Sequence, residues 1–312
     1  MPMSQALSLR GVDGMNRKLM KELPLHVMLL PSAVLLLIYN YLPMAGLVMA
    51  FQRYIPSLGF FKSEWVGWKN FKYIFTTPGF DQALINTVFI AVMKIVSGMI
   101  VPVAFALLLN EVGKSLIKRT FQTVVYLPYF ISWVLMSGII IDIFSPNNGI
   151  INQFLGLFGI QPIYFVGDNN WFPYVLVITH IWKEFGWGTI IFMAALTGID
   201  PSLYEASHID GAGHWKQSLY ITLPGIMPTF VLIASLSLGN ILNAGFDQVF
   251  NLLSPVTIQS GDIIDTLVYR LGIQEGQYSV ATAAGLFKSV ISFIMISLSY
   301  KLAYRYTGYR IF

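Results

Sequence analysis

"YEASHIDGAGHWKQSLYITLPG", residues 204–225, decides how this chain is read. It is one of the few polar stretches of a greasy chain and lies between two long apolar runs. Just before it, Asp200-Pro201 reads as a helix cap followed by a first-turn proline. Ser202 and Glu205 fit the S-x-x-E capping box, in which the acid reaches back to the cap amide. Leu203, Ala206 and Ile209 then share one face of a short helix. Gly211-Ala212-Gly213 ends it, a second helical stretch runs from His214 to about Tyr220, and Leu223-Pro224 opens the next apolar run. A compact helix-turn-helix with a small apolar stripe suits docking into a groove on another protein.

The chain has 312 residues, of which 55% are hydrophobic and 11% charged, against about 25% charged in an average soluble domain. Mean hydropathy is +0.65. No soluble core needs that much apolar surface, so the class is integral membrane protein. There is no cysteine, which excludes disulfides, thiol nucleophiles and Cys-ligated metals. Arg10, Arg17, Lys18 and Lys21 precede an apolar run that continues to about residue 50. No small-residue cleavage site closes that run early, so it reads as a retained first span rather than a signal peptide.

A helix needs about 20 apolar residues to cross a bilayer. Six stretches qualify: 25–51, 84–109, 121–143, 173–197, 225–246 and 281–303. Pro43, Pro102, Pro128, Gly186 and Gly239 within them are tolerable where neighbouring helices satisfy the backbone. The expectation is an all-α, six-span protein. It comprises a tail (1–24), a first span with its outer loop (25–83), a core (84–303) carrying the loop at 200–224, and a second tail (304–312). Eleven Lys and Arg fall in the N-terminal tail, the 110–120 loop, the 204–225 loop and the C-terminal stretch from Lys301 onward. Five fall on the other side (Arg53, Lys62, Lys69, Lys72 and Arg270), and Lys94, Lys183 and Lys288 lie within spans. The basic excess places both termini and the 204–225 loop in the cytoplasm. The four basic residues of the first outer loop run against that rule. "WVGWKNFKYIF" (65–75) and "NGIINQFLGLFGI" (148–160) have a helical rhythm. They read as interfacial helices or as a platform for an external partner.

The loop resembles the EAA loop of type I ATP-binding-cassette importer permeases. The pattern stands here as Glu205-Ala206-Ser207, Gly211 and Ile221-Thr222-Leu223-Pro224, with Ser207 in place of the second alanine. The resemblance extends through "YNYLPMAGLVMAFQRY", "YLPYFISWV", "GIINQFLGLFG" and "HIWKEFGWGTIIFMAAL". These stretches are similar to the carbohydrate-uptake branch, closest to permeases of oligosaccharides and polysaccharide fragments. The resemblance implies a bacterial cytoplasmic-membrane subunit forming half of a translocation pathway. Its implied partners are ATPase subunits, a second, different homologous permease (a hetero-dimer), an extracytoplasmic solute-binding protein and a carbohydrate substrate. It further implies that Glu205, Ala206, Ser207, Ile209, Asp210, Gly211, Leu223 and Pro224 form the coupling element seated in an ATPase cleft. No cofactor, metal, nucleic acid or catalytic residue is implied, and ATP hydrolysis belongs to partner chains.

Other motifs point nowhere else. Gly113-Lys114-Ser115 is the end of a P-loop, but position 108 is leucine and no strand precedes it. His208 and His214 have no third ligand nearby. Ser235/Gly239 and Ala281/Gly285 mark close helix packing. "HIWKEFGW" (180–187) places Trp182, Lys183, Glu184 and Trp187 at mid-span. Charged groups there face the bundle interior or a watery path, so they form either an internal ion-pair network or a sugar pathway. Asn240, Asn243 and Asp247 read as a polar stripe on the fifth span, open to the same two interpretations. The rival class is an ion-coupled secondary transporter built on Lys183 and Glu184, although the inverted repeats of many such folds are missing. A membrane-embedded hydrolase has only scattered polar residues behind it.

Overall fold

The computed structural model describes residues 22–112 and 115–307. The basic N-terminal residues, Gly113-Lys114 of the P-loop-like run and the end of the C-terminal tail lie outside the described residues. Helix α1 spans Glu22–Phe51, passing through a π turn at Leu37–Tyr41. Helix α2 spans Phe80–Glu111, α3 Ser115–Tyr126, α4 Trp133–Ile143 and α5 Phe172–Thr197. Helix α6 is Pro201–Ile209 and α7 is His214–Leu238. Then come α8, Phe246–Leu252, α9, Ile264–Tyr269, and α10, Tyr278–Thr307. Among the described residues the only sheet is a two-residue antiparallel pair, Gln52–Arg53 with Glu64–Trp65.

Four helices, α1, α2, α7 and α10, are long and apolar enough to cross a membrane, and the bent α3–α4 pair makes a fifth. Helix α5 has 26 residues, about 39 Å of rise, but His180, Lys183 and Glu184 in its middle lower its hydropathy. The expected third span, 121–143, is broken by 107°. Pro128 has no N–H and crowds the preceding turn. The chain tightens into a 3-10 turn at Leu127–Phe130, and Ile131 and Ser132 are extended. Ser132 then caps α4 by accepting from the Leu135 amide at 3.4 Å.

The expected fifth span, 225–246, is corrected at both ends. It begins earlier: α7 runs unbroken from His214 through a π turn at Ser218–Thr222. That turn absorbs the hydrogen bond Pro224 cannot make. It ends earlier too, at Leu238. Asn240 and Asn243 occupy a turn, where Asn243 Oδ1 accepts from the Gly245 amide at 3.3 Å. Asp247 sits on α8, exposed. The three polar residues are therefore not a stripe on one helix. Short-chain amides that bond nearby backbone favour such turns over helix interiors, and Gly245 completes the break at φ +91°. The aromatic outer segments form short, partly buried helices at Lys69–Ile74 and Ile150–Gly156, in which Ile74 and Asn152 are buried.

Helices α2 and α5 pack most extensively against one another. Ile90 and Ala91 of α2 meet Phe172, Val175 and Leu176 of α5, with Met136 and Ile140 of α4 and Val249 of α8. Nearer the α2 C-terminus, Val103 and Ala106 meet Phe192, Leu196 and Ile226. A third cluster joins Ala50, Phe80 and Ala83 to Leu267 and Ala281. Gly186 lets α5 approach the carbonyl of Val125, which an added Cβ would strike. Gly186→Ala is expected to cost about 1–3 kcal/mol by overpacking. Gly138→Ala, with open space around its Cβ, should be neutral. Thermal unfolding of the detergent-solubilised variants checks the pair.

Candidate functional site

The 200–224 segment folds as a helical hairpin. Asp200 caps α6, its carboxylate accepting from the Ser202 amide at 2.9 Å. That bond, and then the Ser202 hydroxyl, hold the carboxylate below its ordinary value. Because Asp200 is the cap, Ser202 lies inside the helix and the Ser202/Glu205 capping box does not form. Glu205 is exposed and makes no hydrogen bond or ion pair among the described residues. Gly211, at φ +74°, takes the left-handed conformation that ends a helix, and the Ala212 amide returns to the Ser207 carbonyl at 2.9 Å. Ser207 does more than replace an alanine. Its hydroxyl donates to the Tyr204 carbonyl at 2.8 Å and accepts from Gln217 Nε2 at 2.9 Å, tying α6 to α7. Tyr204 adds a hydroxyl contact to Thr222 at 3.0 Å, and His214 reaches Glu111 at 3.1 Å.

Two polar and two small residues, Glu205, Asp210, Ala206 and Gly211, are thus displayed with a large apolar surface. Ile209 is 86% exposed and Trp215 80%. Leu223 is half-buried and Pro224 exposed, both at the point where the hairpin continues into the membrane-length part of α7.

The polar mid-span residues gather around a cavity of about 470 Å³ between α2, α5, the end of α7 and the 240–245 turn. Lys94, His180, Glu184, Trp187, Asn240 and Asn243 line it. His180, Glu184 and Trp187 share one face of α5 by their four- and three-residue spacing. Trp182 points elsewhere, into a small apolar space with Ile140, Ile143 and Phe144. Lys183 also turns away. It is buried, donates to the Tyr129 carbonyl at 2.7 Å and lies 3.5 Å from Glu184. Its ammonium sits 5.1 and 5.4 Å from the Tyr129 and Trp133 rings, a cation–π arrangement. Tyr129 in turn stacks on Trp187 at 4.8 Å. Lys183 therefore secures the broken α3–α4 segment, and of the four charged or aromatic residues singled out in 182–187, Glu184 and Trp187 reach the cavity.

Lys94 and Gln248 were not singled out as site residues in the sequence. Lys94 donates to the Ala244 carbonyl at 2.6 Å and to Gln248 Oε1 at 2.5 Å. Gln248 Nε2 donates onward to the Leu176 carbonyl and Thr179 Oγ1, both at 2.8 Å. The available signal was the isolated lysine in an otherwise apolar span; nothing in the local pattern marks Gln248. No group of three or more potential metal ligands occurs among the described residues.

Comparison with known proteins places this geometry. Residues 95–308 match the family described as "Binding-protein-dependent transport system inner membrane component". The chain belongs to that family. This inner membrane component is 43% identical over 272 residues to protein LplB of Bacillus subtilis, spanning 87% of this chain and 86% of that one. It is 40% identical over 289 residues to the polygalacturonan/rhamnogalacturonan transport system permease protein YteP of the same organism, spanning 93% and 90%. Its fold matches a chain of a bacterial ABC transporter involved in import of the acidic polysaccharide alginate. There the TM-score is 0.86 at 35% identity, over 94% of this chain and 99% of that one. The all-α membrane fold and the permease resemblance drawn from residues 205–224 agree with these findings.

Ser207→Ala should loosen the hairpin without unfolding the chain. Loss of one such bond costs about 0.5–1.5 kcal/mol, so amide exchange across 201–217 should quicken roughly two- to tenfold while α2 and α5 stay protected.

Proposed function

We propose that this permease is one half of the membrane pathway of an ATP-driven oligosaccharide importer, lodged in a bacterial cytoplasmic membrane with both termini inside. The observation that carries the reading is the hairpin at 200–224. Among the described residues it leaves Glu205 without an intramolecular partner and Ile209 and Trp215 exposed, on an element continuous with α7. An ATPase cleft would cover the apolar residues, and a basic or amide group there would meet Glu205. Closure of the ATPases would then move the hairpin and α7 together as one lever. Since α7 ends at the turn bearing Asn240 and Asn243, that movement reaches the cavity wall. A second permease completes the pathway, and an external binding protein delivers the sugar. In the cavity, Trp187 offers an aromatic face for a sugar ring, and Glu184, Asn240 and Asn243 offer hydrogen bonds to hydroxyls. The permease itself carries out no covalent step.

Glu205→Gln tests the carboxylate's part in docking, since the capping box does not form. A hydrogen bond to an ionised group contributes about 1.5–3 kcal/mol, so the variant should insert and assemble yet lose roughly tenfold in substrate-stimulated ATP hydrolysis. Normal coupling in reconstituted complexes would remove the carboxylate from the interface. Gly211→Val should couple worse still, because a β-branched residue is strained at positive φ.

Orientation is checked separately in this cysteine-free chain. Single cysteines at positions 160 and 214 are exposed to an impermeant thiol reagent in intact cells. Position 160 should react and 214 should not; labelling at 214 would put the hairpin on the wrong side for any ATPase.

A further inference from the structure

Lys94 lies mid-way along α2 and is 6% exposed, yet it borders the cavity. An ammonium has three donors and no acceptor. Two of its donors are occupied, both by neutral oxygens, the Ala244 carbonyl and Gln248 Oε1. Gln248 is fixed by its own two bonds, so its oxygen is held toward Lys94. Among the described residues no carboxylate lies within ion-pair distance of Lys94. The other two lysines at this depth are different. Lys288 is paired with Asp265 at 2.5 and 2.7 Å, and Lys183 has Glu184. The cavity and its wall therefore hold Lys94 and Lys183 against the single carboxylate of Glu184. The ammonium form of Lys94 keeps one unused donor and lacks a carboxylate of its own. Such a charge is costly to bury unless something opposite meets it.

Resting on the oligosaccharide-importer reading, we propose that Lys94 is the specificity-determining residue of this cavity. Its ammonium receives a carboxylate carried on the sugar, which makes the substrates uronate-bearing oligosaccharides. A carboxylate supplies both missing items, the counter-charge and the third acceptor, in one charge-assisted hydrogen bond. A neutral sugar entering the same space displaces water from Lys94 and leaves the charge unmatched, and a site with an unpaired buried polar group rejects such a ligand strongly. The cavity volume is within the range of small-ligand sites. Trp187, on the same cavity wall, stacks on Tyr129 on one side and is 45% exposed, which leaves indole surface for the ring that bears the carboxylate.

The test uses the whole importer, with its partner permease, ATPase and binding protein, reconstituted in liposomes. The probes are di- to pentasaccharides of galacturonate or mannuronate and their carboxyl-reduced neutral counterparts. Wild type should take up the acidic set at least tenfold faster than the neutral one. Lys94→Gln should slow acidic uptake at least tenfold while neutral uptake is not slowed and rises toward the acidic rate, and Lys94→Arg should keep the acidic preference. Equal slowing of both sets by Lys94→Gln in a fully assembled complex overturns the proposal and leaves Lys94 as a brace of the 240–245 turn. Wild type that moves neutral but not acidic sugars overturns it while the importer reading stands. Wild type that moves neither set overturns both.

Discussion

Backbone groups at membrane depth must find partners within the protein, because lipid offers none. This fold breaks its helices twice inside that zone, and a lysine meets each break. Lys183 donates to the Tyr129 carbonyl beside the 107° bend between α3 and α4. Lys94 donates to the Ala244 carbonyl beside the turn that ends α7. Each ammonium costs energy to bury, and each offsets the cost by satisfying a carbonyl that an irregular backbone leaves free. The breaks allow a cavity where straight helices would close on one another. Lys94 borders that cavity while Lys183 turns away from it toward Tyr129, so the architecture at both breaks depends on one pair of side chains.

The second consequence is mechanical. Because α7 has no interruption between His214 and Leu238, the hairpin and the cavity wall are joined by 25 residues of helix. The π turn at 218–222 accommodates Pro224 without breaking that continuity. The Ser207–Gln217 and Tyr204–Thr222 bonds fasten α6 to the same helix. A force applied to Glu205 or Ile209 therefore acts on a braced element rather than on a loose loop.

Much of this was legible in the sequence. Five of the six apolar runs correspond to helices because their patterns exceed a bilayer's thickness, and the hairpin was readable because Asp200-Pro201 and Gly211 fix its ends locally. The failures share a cause. The 107° bend, the early end of α7 and the missing capping box each depend on what one residue does to its immediate backbone, where composition is blind. Pro128 looks the same in a tolerated kink and in a break. Ser202 and Asp200 compete for one cap, and the pattern alone cannot choose. The site was half-visible: 182–187 flagged the right helix, but only its face distinguishes Trp187 from Trp182. Lys94 and Gln248 are 154 residues apart, and no local periodicity connects them.

The central claim is that the hairpin is covered by an ATPase in the working complex. The most direct measurement is cross-linking from a photo-reactive group attached at Ile209→Cys, the most exposed apolar position of the hairpin, in the assembled transporter. The account predicts a single protein adduct, to the ATPase subunit, whose yield changes when ATP is bound. An adduct confined to lipid or to the binding protein, in complexes that retain the ATPase, would contradict it.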